Sequence, residues 1–181
     1  MEQKKPISHI AAGAILAGIL IVLSEIMMLT QGADATGNRP VSSWLVYIII
    51  IGGLVLFINL YAKANDHNVT FGNLFAYGFK ITAVFAAIQV LYMLTFQFIH
   101  PDFKQQAIEV ARAEMEKQGN TSDSQMDQAM QLMEKYFWVF AIGGSLLGNL
   151  VIGAVGSLIG AAITKKNPGQ RHMQQLDQLD S

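Results

Sequence analysis

The sequence contains no cysteine, which excludes disulfides, thiolate metal sites and cysteine nucleophiles. Charge is also scarce, since charged residues make up 14% of the chain and a soluble domain has about 25%. The net charge is -1, so no basic field favours nucleic acid as a partner. By contrast, 52% of the residues are hydrophobic and 16 are glycine. This composition indicates that a lipid bilayer, rather than water, is the main solvent.

Four apolar segments stand out, at residues 7–29, 44–61, 74–99 and 137–163. A helix needs about 20 residues to cross a hydrocarbon core of roughly 30 Å. The second segment is rich in β-branched residues, but an isolated strand in lipid leaves its backbone unpaired, so a helix is favoured. The first segment is also compatible with a cleaved signal peptide ending near residues 33–35, although it exceeds the ~7–15 apolar residues of a signal core. The sequence predicts an all-α, four-helix transmembrane bundle.

Basic residues predict how the helices cross the membrane. The first short loop has a single basic residue, Arg39, whereas the opposite side collects the others near segment ends: Lys4, Lys5, Lys63, Lys165, Lys166 and Arg171. Short cytoplasmic loops are enriched in lysine and arginine, so we expect both termini to face the cytoplasm. Residues 1–168 then form a membrane domain, and residues 169–181 are expected to be a disordered polar tail.

The connection at residues 100–136 is different in kind, because it is polar and has two helical patterns separated by a break at Gly119. We expect an extracytoplasmic helical hairpin whose second helix runs directly into segment four. That second helix carries an apolar stripe of Met126, Met130 and Met133. The stripe can pack within the hairpin or on the membrane surface, or bind a partner, since methionine adapts to irregular surfaces. A soft-metal site is a third alternative.

Segment four presents a wide face of small residues that includes two G-x-x-x-G pairs. Such faces allow helix backbones to approach closely in lipid, and small residues can also line a pore. Segment one has a smaller version of this pattern, so we expect segments one and four to contact each other, within one chain or between two. The predicted packing positions are Gly144, Gly148, Gly153, Gly156 and Gly160.

Polar residues at membrane depth are the default functional candidates, and here they are Glu25, Lys80, Gln89, Tyr92, Ser145 and Asn149. At about 1.5 Å per residue, Glu25 lies near the outer end of segment one and Lys80 near the inner end of segment three. The two are too far apart in depth for a salt bridge. Glu25 is instead level with Tyr92 and Ser145. It is either an interfacial acid that accepts a hydrogen bond from Tyr92 or a carboxylate coupled to proton or cation movement.

Three stretches carry a family resemblance: "VTFGNLFAYGFKI" at the start of segment three, "FQFIHPDF" at its end, and "IGAAITKKNP" after the glycine face. In this order they resemble the bacterial membrane family called domain of unknown function 4199, over residues 7–168. The resemblance implies a four-helix integral membrane protein with an outer helical insertion, in the inner (plasma) membrane of a bacterium. It implies no activity, cofactor or catalytic residue.

The sequence has no nucleophile–base pair, phosphate-binding loop or depth-matched pair of carboxylates. We therefore expect no catalytic, cofactor-binding or metal-binding residues. The favoured hypothesis is a structural or accessory protein that assembles with itself or a larger membrane partner through the glycine face and the hairpin. The alternative is an oligomeric transporter of ions or small solutes, with Glu25 as the coupling carboxylate. A lipid-modifying enzyme using His100 and Asp102 is a third hypothesis.

Overall fold

The computed structural model describes residues 6–31, 40–118 and 123–167. Several positions used in the predictions lie outside these ranges, namely Lys4, Lys5, residues 33–35, Arg39, Gly119, Arg171 and the tail 169–181.

The described part of the chain has five helices and no strand. Their bounds are α1 His9–Gln31, α2 Pro40–Ala64, α3 Phe71–Ile99, α4 Phe103–Gln118 and α5 Asp123–Ile163. All except α4 are long and apolar enough to cross a membrane, with mean hydropathy between 1.7 and 2.4. The predicted all-α fold with four apolar helices is confirmed, and the β-branched second segment is helical. By length and composition, the chain is a multi-pass membrane protein.

Of the four long helices, α3 lies against both α1 and α5, while α2 packs mainly against α5. The contact between α1 and α2 is slight, and α1 and α5 make at most marginal contact. The predicted contact between segments one and four is therefore wrong within the chain. Its cause is that helices α3 and α2 occupy the second half of the small-residue face of α5, at Gly153, Gly156 and Gly160.

Close approach between α3 and α5 depends on interlocking small residues. A Cβ atom at Gly153 would overlap the side chain of Thr82, and one at Gly78 would lie 2.7 Å from Ser157 Oγ. The side chains of Thr82 and Ser157 are themselves buried, and their hydroxyls donate to backbone carbonyls within their own helices. On the α2 side, Gly156 and Gly160 are covered by side chains from the core, which includes Leu16, Ile50, Leu54, Ile58, Ile81 and Phe85.

Helix α4 lies against the first part of α5. The Phe103 and Phe137 rings are 6.3 Å apart, and Arg112 lies 3.8 Å from Asp127. Met126 and Met130 of the predicted stripe are buried within the chain, so these two methionines pack internally. Helix α5 is continuous over 41 residues, as the stripe predicted, except that non-helical backbone angles at Tyr136 produce a kink.

At the opposite end of the bundle from Glu25, a tight turn joins α2 to α3. Asp66 and His67 both have positive φ, at 51° and 59°, a conformation that asparagine, aspartate and histidine adopt more readily than other side chains. Thr70 then caps α3 by accepting a hydrogen bond from the Asn73 amide. His67 also binds the chain after α5: its Nδ1 is 2.9 Å from Lys165 O, and its carbonyl accepts from the Asn167 amide at 2.7 Å.

Candidate functional site

Glu25 is bound through both of its carboxylate oxygens. The Tyr92 hydroxyl donates to Oε1 at 2.5 Å, and His100 Nε2 lies 3.2 Å from Oε2. The Glu25 side chain is 31% exposed and that of His100 is 20% exposed, so the pair is partly sheltered. The hydrogen bond from Tyr92 is the one that the helix-depth argument predicts for an interfacial acid.

The position of His100 follows from the way α3 ends. His100 is the C-terminal cap, and its backbone amide donates to the Phe96 carbonyl. Its ring lies 4.5 Å from the Phe96 ring, which in turn packs edge-on against Tyr92 and Phe103. The imidazole therefore packs on the Phe96 ring of this aromatic cluster while its Nε2 reaches Glu25. His100 is thus paired with Glu25, in contrast to the hypothesis that joined it to Asp102.

A partly open cavity of about 330 Å³ lies beside Glu25, enclosed by α1, α2, α3, α5 and the start of α4. It occupies the space that remains because α1 and α2 barely touch. Along α3 its lining extends from Phe85 to Phe96, which corresponds to roughly 16 Å of helix. Its volume falls at the lower end of the ~300–1,000 Å³ typical of small-molecule sites.

The cavity brings together four of the six polar residues that sequence reasoning singled out, and Ser24 joins them. The polar lining residues are Ser24, Gln89, Tyr92, Ser145 and Asn149. Gln89 and Asn149 do not bond to each other, and Asn149 Nδ2 instead lies 3.4 Å from Ser145 Oγ on its own helix. Glu25 itself stands at the rim, adjacent in sequence to Ser24 and bound to Tyr92.

Lys80, the remaining predicted residue, is at the other end of the bundle. It lines a separate depression with the start of α1, near Tyr77, whose hydroxyl donates to the Ile7 carbonyl at 2.7 Å. As the threading predicted, Lys80 and Glu25 do not meet. Within the described residues, no group of three or more histidines and carboxylates is placed to hold a metal ion.

The five predicted packing glycines fall into two groups. Gly153, Gly156 and Gly160 are covered by α3 or α2, whereas Gly144 and Gly148 are exposed, and a Cβ atom added at either would have no described atom within 4 Å. Helix packing within the chain therefore uses only the second half of the face.

A comparison with protein families bears on this arrangement. The family described as "Protein of unknown function (DUF4199)" matches residues 12–166. The chain belongs to this family. Searches of curated proteins and of solved structures gave no match. The DUF4199 match confirms the resemblance carried by the three sequence stretches, and it includes Glu25, Tyr92, His100 and every residue that lines the cavity.

Sequence reasoning missed the part that His100 plays in this DUF4199 chain. A usable signal was present, because Tyr92, Phe96 and His100 follow each other at intervals of four and so lie along one face of α3. Once Tyr92 is matched in depth to Glu25, this spacing places His100 two turns further toward the same end.

Proposed function

We propose that the protein is a structural or accessory membrane protein that assembles through the first half of α5. The observation that carries the proposal is the difference between the two halves of the glycine face. Gly153, Gly156 and Gly160 contact helices of the same chain, whereas Gly144 and Gly148 are left open. A G-x-x-x-G pair in lipid allows another helix to approach closely, and this pair has no partner among the described residues.

The residues around the open pair form one continuous exposed row. Leu132, Tyr136, Phe140, Gly144 and Gly148 recur at intervals of four, and the three large side chains are 56%, 40% and 62% exposed. The row therefore extends from the membrane helix into the part of α5 that packs on α4. This continuity supports the involvement of the predicted hairpin in the same interface.

The occupant that we propose is a second copy of this chain. Two identical G-x-x-x-G faces are self-complementary when a two-fold axis relates them, because each glycine pair then accommodates the backbone of the other. Leu147 and Val151, which flank the glycines and are 66% and 63% exposed, would pack against their counterparts. A larger membrane protein that offers a similar helix is the other outcome of the test.

Cysteine crosslinking in membranes tests the proposal, and because the chain has no native cysteine, every disulfide within a homodimer must come from the introduced residue. We expect Leu147→Cys to form disulfide-linked dimers on mild oxidation, and Leu147→Cys with Gly148→Leu to lose them. Leu91→Cys is the matched control, because Leu91 is 63% exposed on α3 at the depth of Tyr92. Equal crosslinking at the two positions, or monomer throughout with no co-purifying protein, would refute the assembly.

The proposed location is the bacterial inner membrane, with both termini in the cytoplasm. In support, Lys63 lies in the last turn of α2, beside the turn that binds Lys165 and Asn167. Lys63, Lys165 and Lys166, three of the basic residues used for orientation, therefore share one end of the bundle. Cytoplasmic ends carry such clusters. A reporter that works only in the cytoplasm is expected to be active when it is fused after residue 167. Activity of a reporter that works only in the periplasm, fused at the same place, would reverse the orientation.

The cavity beside Glu25 favours a second candidate function, an oligomeric transporter in which Glu25 is the coupling carboxylate. A carboxylate at the rim of a partly open, membrane-embedded cavity is the arrangement expected of an ion or solute pathway. Flux into reconstituted vesicles is expected to depend on pH and to disappear in Glu25→Gln. Unchanged flux in that variant would remove Glu25 from the coupling role.

A further inference from the structure

The charge around the cavity beside Glu25 favours positively charged ligands. None of the described residues that line it is charged, and the carboxylate of Glu25 stands at its rim. Lys80 is twelve residues from Tyr92 along α3, or roughly 18 Å away. Asp102 and Lys104 follow His100 with opposite signs, and neither lines the cavity. With a neutral His100, the charge that directly adjoins the cavity is therefore negative.

The lining also offers the groups that bind organic cations. Four aromatic rings contribute to it, from Phe85, Tyr92, Phe96 and Phe103, and aromatic faces attract ammonium groups. Glu25 retains acceptor capacity, because a carboxylate has about four lone-pair sites and the described contacts use one on each oxygen. Among the described residues Gln89 has no hydrogen-bond partner, so its amide oxygen is available inside the cavity.

The shape of the cavity limits the size of the ligand. A volume of about 330 Å³ accommodates one aromatic or branched alkyl group together with its ammonium group. The lining is apolar near Leu20, Ile50 and Phe85, whereas Ser24 and Tyr92 contribute hydroxyl groups next to Glu25. A ligand with an apolar body and a cationic head matches this gradient when its head points toward Glu25.

We propose that the cavity binds a small lipophilic organic cation, of the quaternary or alkyl ammonium class, with its charge beside Glu25 and its apolar part toward Phe85. This inference deepens the second candidate function and rests on its premise that the cavity accepts a solute. It requires binding only, and it is independent of assembly through α5.

Benzyltrimethylammonium and its uncharged isostere neopentylbenzene are the probes, because they have the same shape and differ in charge. Binding is measured by calorimetry on the full chain in lipid nanodiscs, since detergent alkyl chains would compete for an apolar cavity. The buffer lies above the range in which histidine takes up a proton. We expect the cation to bind at least about tenfold more tightly than the hydrocarbon, the factor that corresponds to about 1.4 kcal/mol.

Four variants separate charge from shape. Glu25→Gln keeps the side-chain volume and can still accept the Tyr92 hydrogen bond, so we expect it to bind both probes equally. Ser145→Leu fills the cavity and is expected to bind neither. Glu109→Gln removes an exposed carboxylate of α4 and should bind like the native chain. Tyr92→Phe removes a hydrogen bond to Glu25 but keeps the charge of the carboxylate, so it should retain the preference for the cation. Thermal unfolding of each variant identifies any that fails to fold.

Each other outcome counts against the proposal. Equal affinity of the native chain for the two probes would mean that the cavity is an apolar gap filled by bilayer lipid. A cation preference that persists in Glu25→Gln means that the carboxylate is not responsible, and no binding of either probe removes the site. Cation binding without flux would refute transport alone, whereas flux of a neutral solute without cation preference would refute this inference alone.

Discussion

Replacing Gly153 by alanine is expected to destabilise the bundle through a single steric overlap. A Cβ atom at this position would lie too close to three atoms of the Thr82 side chain, including the Thr82 Cβ at 2.7 Å. Rotation about χ1 moves Cγ2 and Oγ1 but leaves the Thr82 Cβ in place, so α3 and α5 must separate. Thr82 is 1% exposed and its hydroxyl donates to the Gly78 carbonyl, which leaves it no alternative site.

The magnitude follows from the usual cost of overpacking a core, about 1–3 kcal/mol, or a factor of roughly 5–150 in the folding equilibrium. Reversible unfolding in mixed detergent micelles measures it. The matched control is Gly52→Ala on α2, where no described atom lies within 4 Å of the added methyl group, and a gain of up to about 1 kcal/mol is expected because alanine favours a helix over glycine.

A second substitution tests the cause. Thr82→Ala removes Cγ2 and Oγ1, so in combination with Gly153→Ala it should recover part of the lost stability, with a coupling of about 0.5–3 kcal/mol. The recovery is partial because the Cβ at position 82 remains. Equal stability of the Gly153→Ala and Gly52→Ala variants, or strictly additive effects of the pair, would contradict the interlocked packing of α3 and α5.

Two further substitutions probe the ends of α3. Tyr92→Phe removes the hydrogen bond to Glu25 and should lower the free energy of unfolding by about 1–2 kcal/mol, measured in the same micelle assay. The exposed Tyr47→Phe serves as its control, and equal effects of the two would show that the hydroxyl contributes nothing. Thr70→Ala removes the cap on the Asn73 amide, so we expect a loss of about 1 kcal/mol and faster hydrogen exchange in the first turn of α3. Unchanged exchange there would show that water replaces the cap.

The helices were predictable because apolar length is a strong signal and because spacing along a helix gives depth. This reasoning identified all four apolar helices, the continuity of the methionine stripe with segment four, and the match in level between Glu25 and Tyr92. It also placed Glu25 and Lys80 at opposite ends of the bundle. Each of these conclusions needs only the rise per residue and the direction of crossing.

The arrangement of the helices around the bundle was not predictable in the same way. Depth does not say which helix is the neighbour of which, so the contact expected between segments one and four is not formed within the chain. For the same reason, Gln89 and Asn149 share a cavity without bonding to each other. The part played by His100 depends on how α3 ends and on the aromatic cluster at Phe96, and neither appears in a pattern of hydropathy.

The turn between α2 and α3 has a consequence for the biosynthesis of the protein. His67 forms hydrogen bonds with Lys165 and Asn167, and His67 and Lys165 are 98 residues apart in the chain. A ribosome therefore completes α3, α4 and α5 before the partners of this turn exist. The turn therefore lacks these two hydrogen bonds until the chain beyond α5 reaches this end of the bundle. Placement of the last helix and completion of an early connection are coupled.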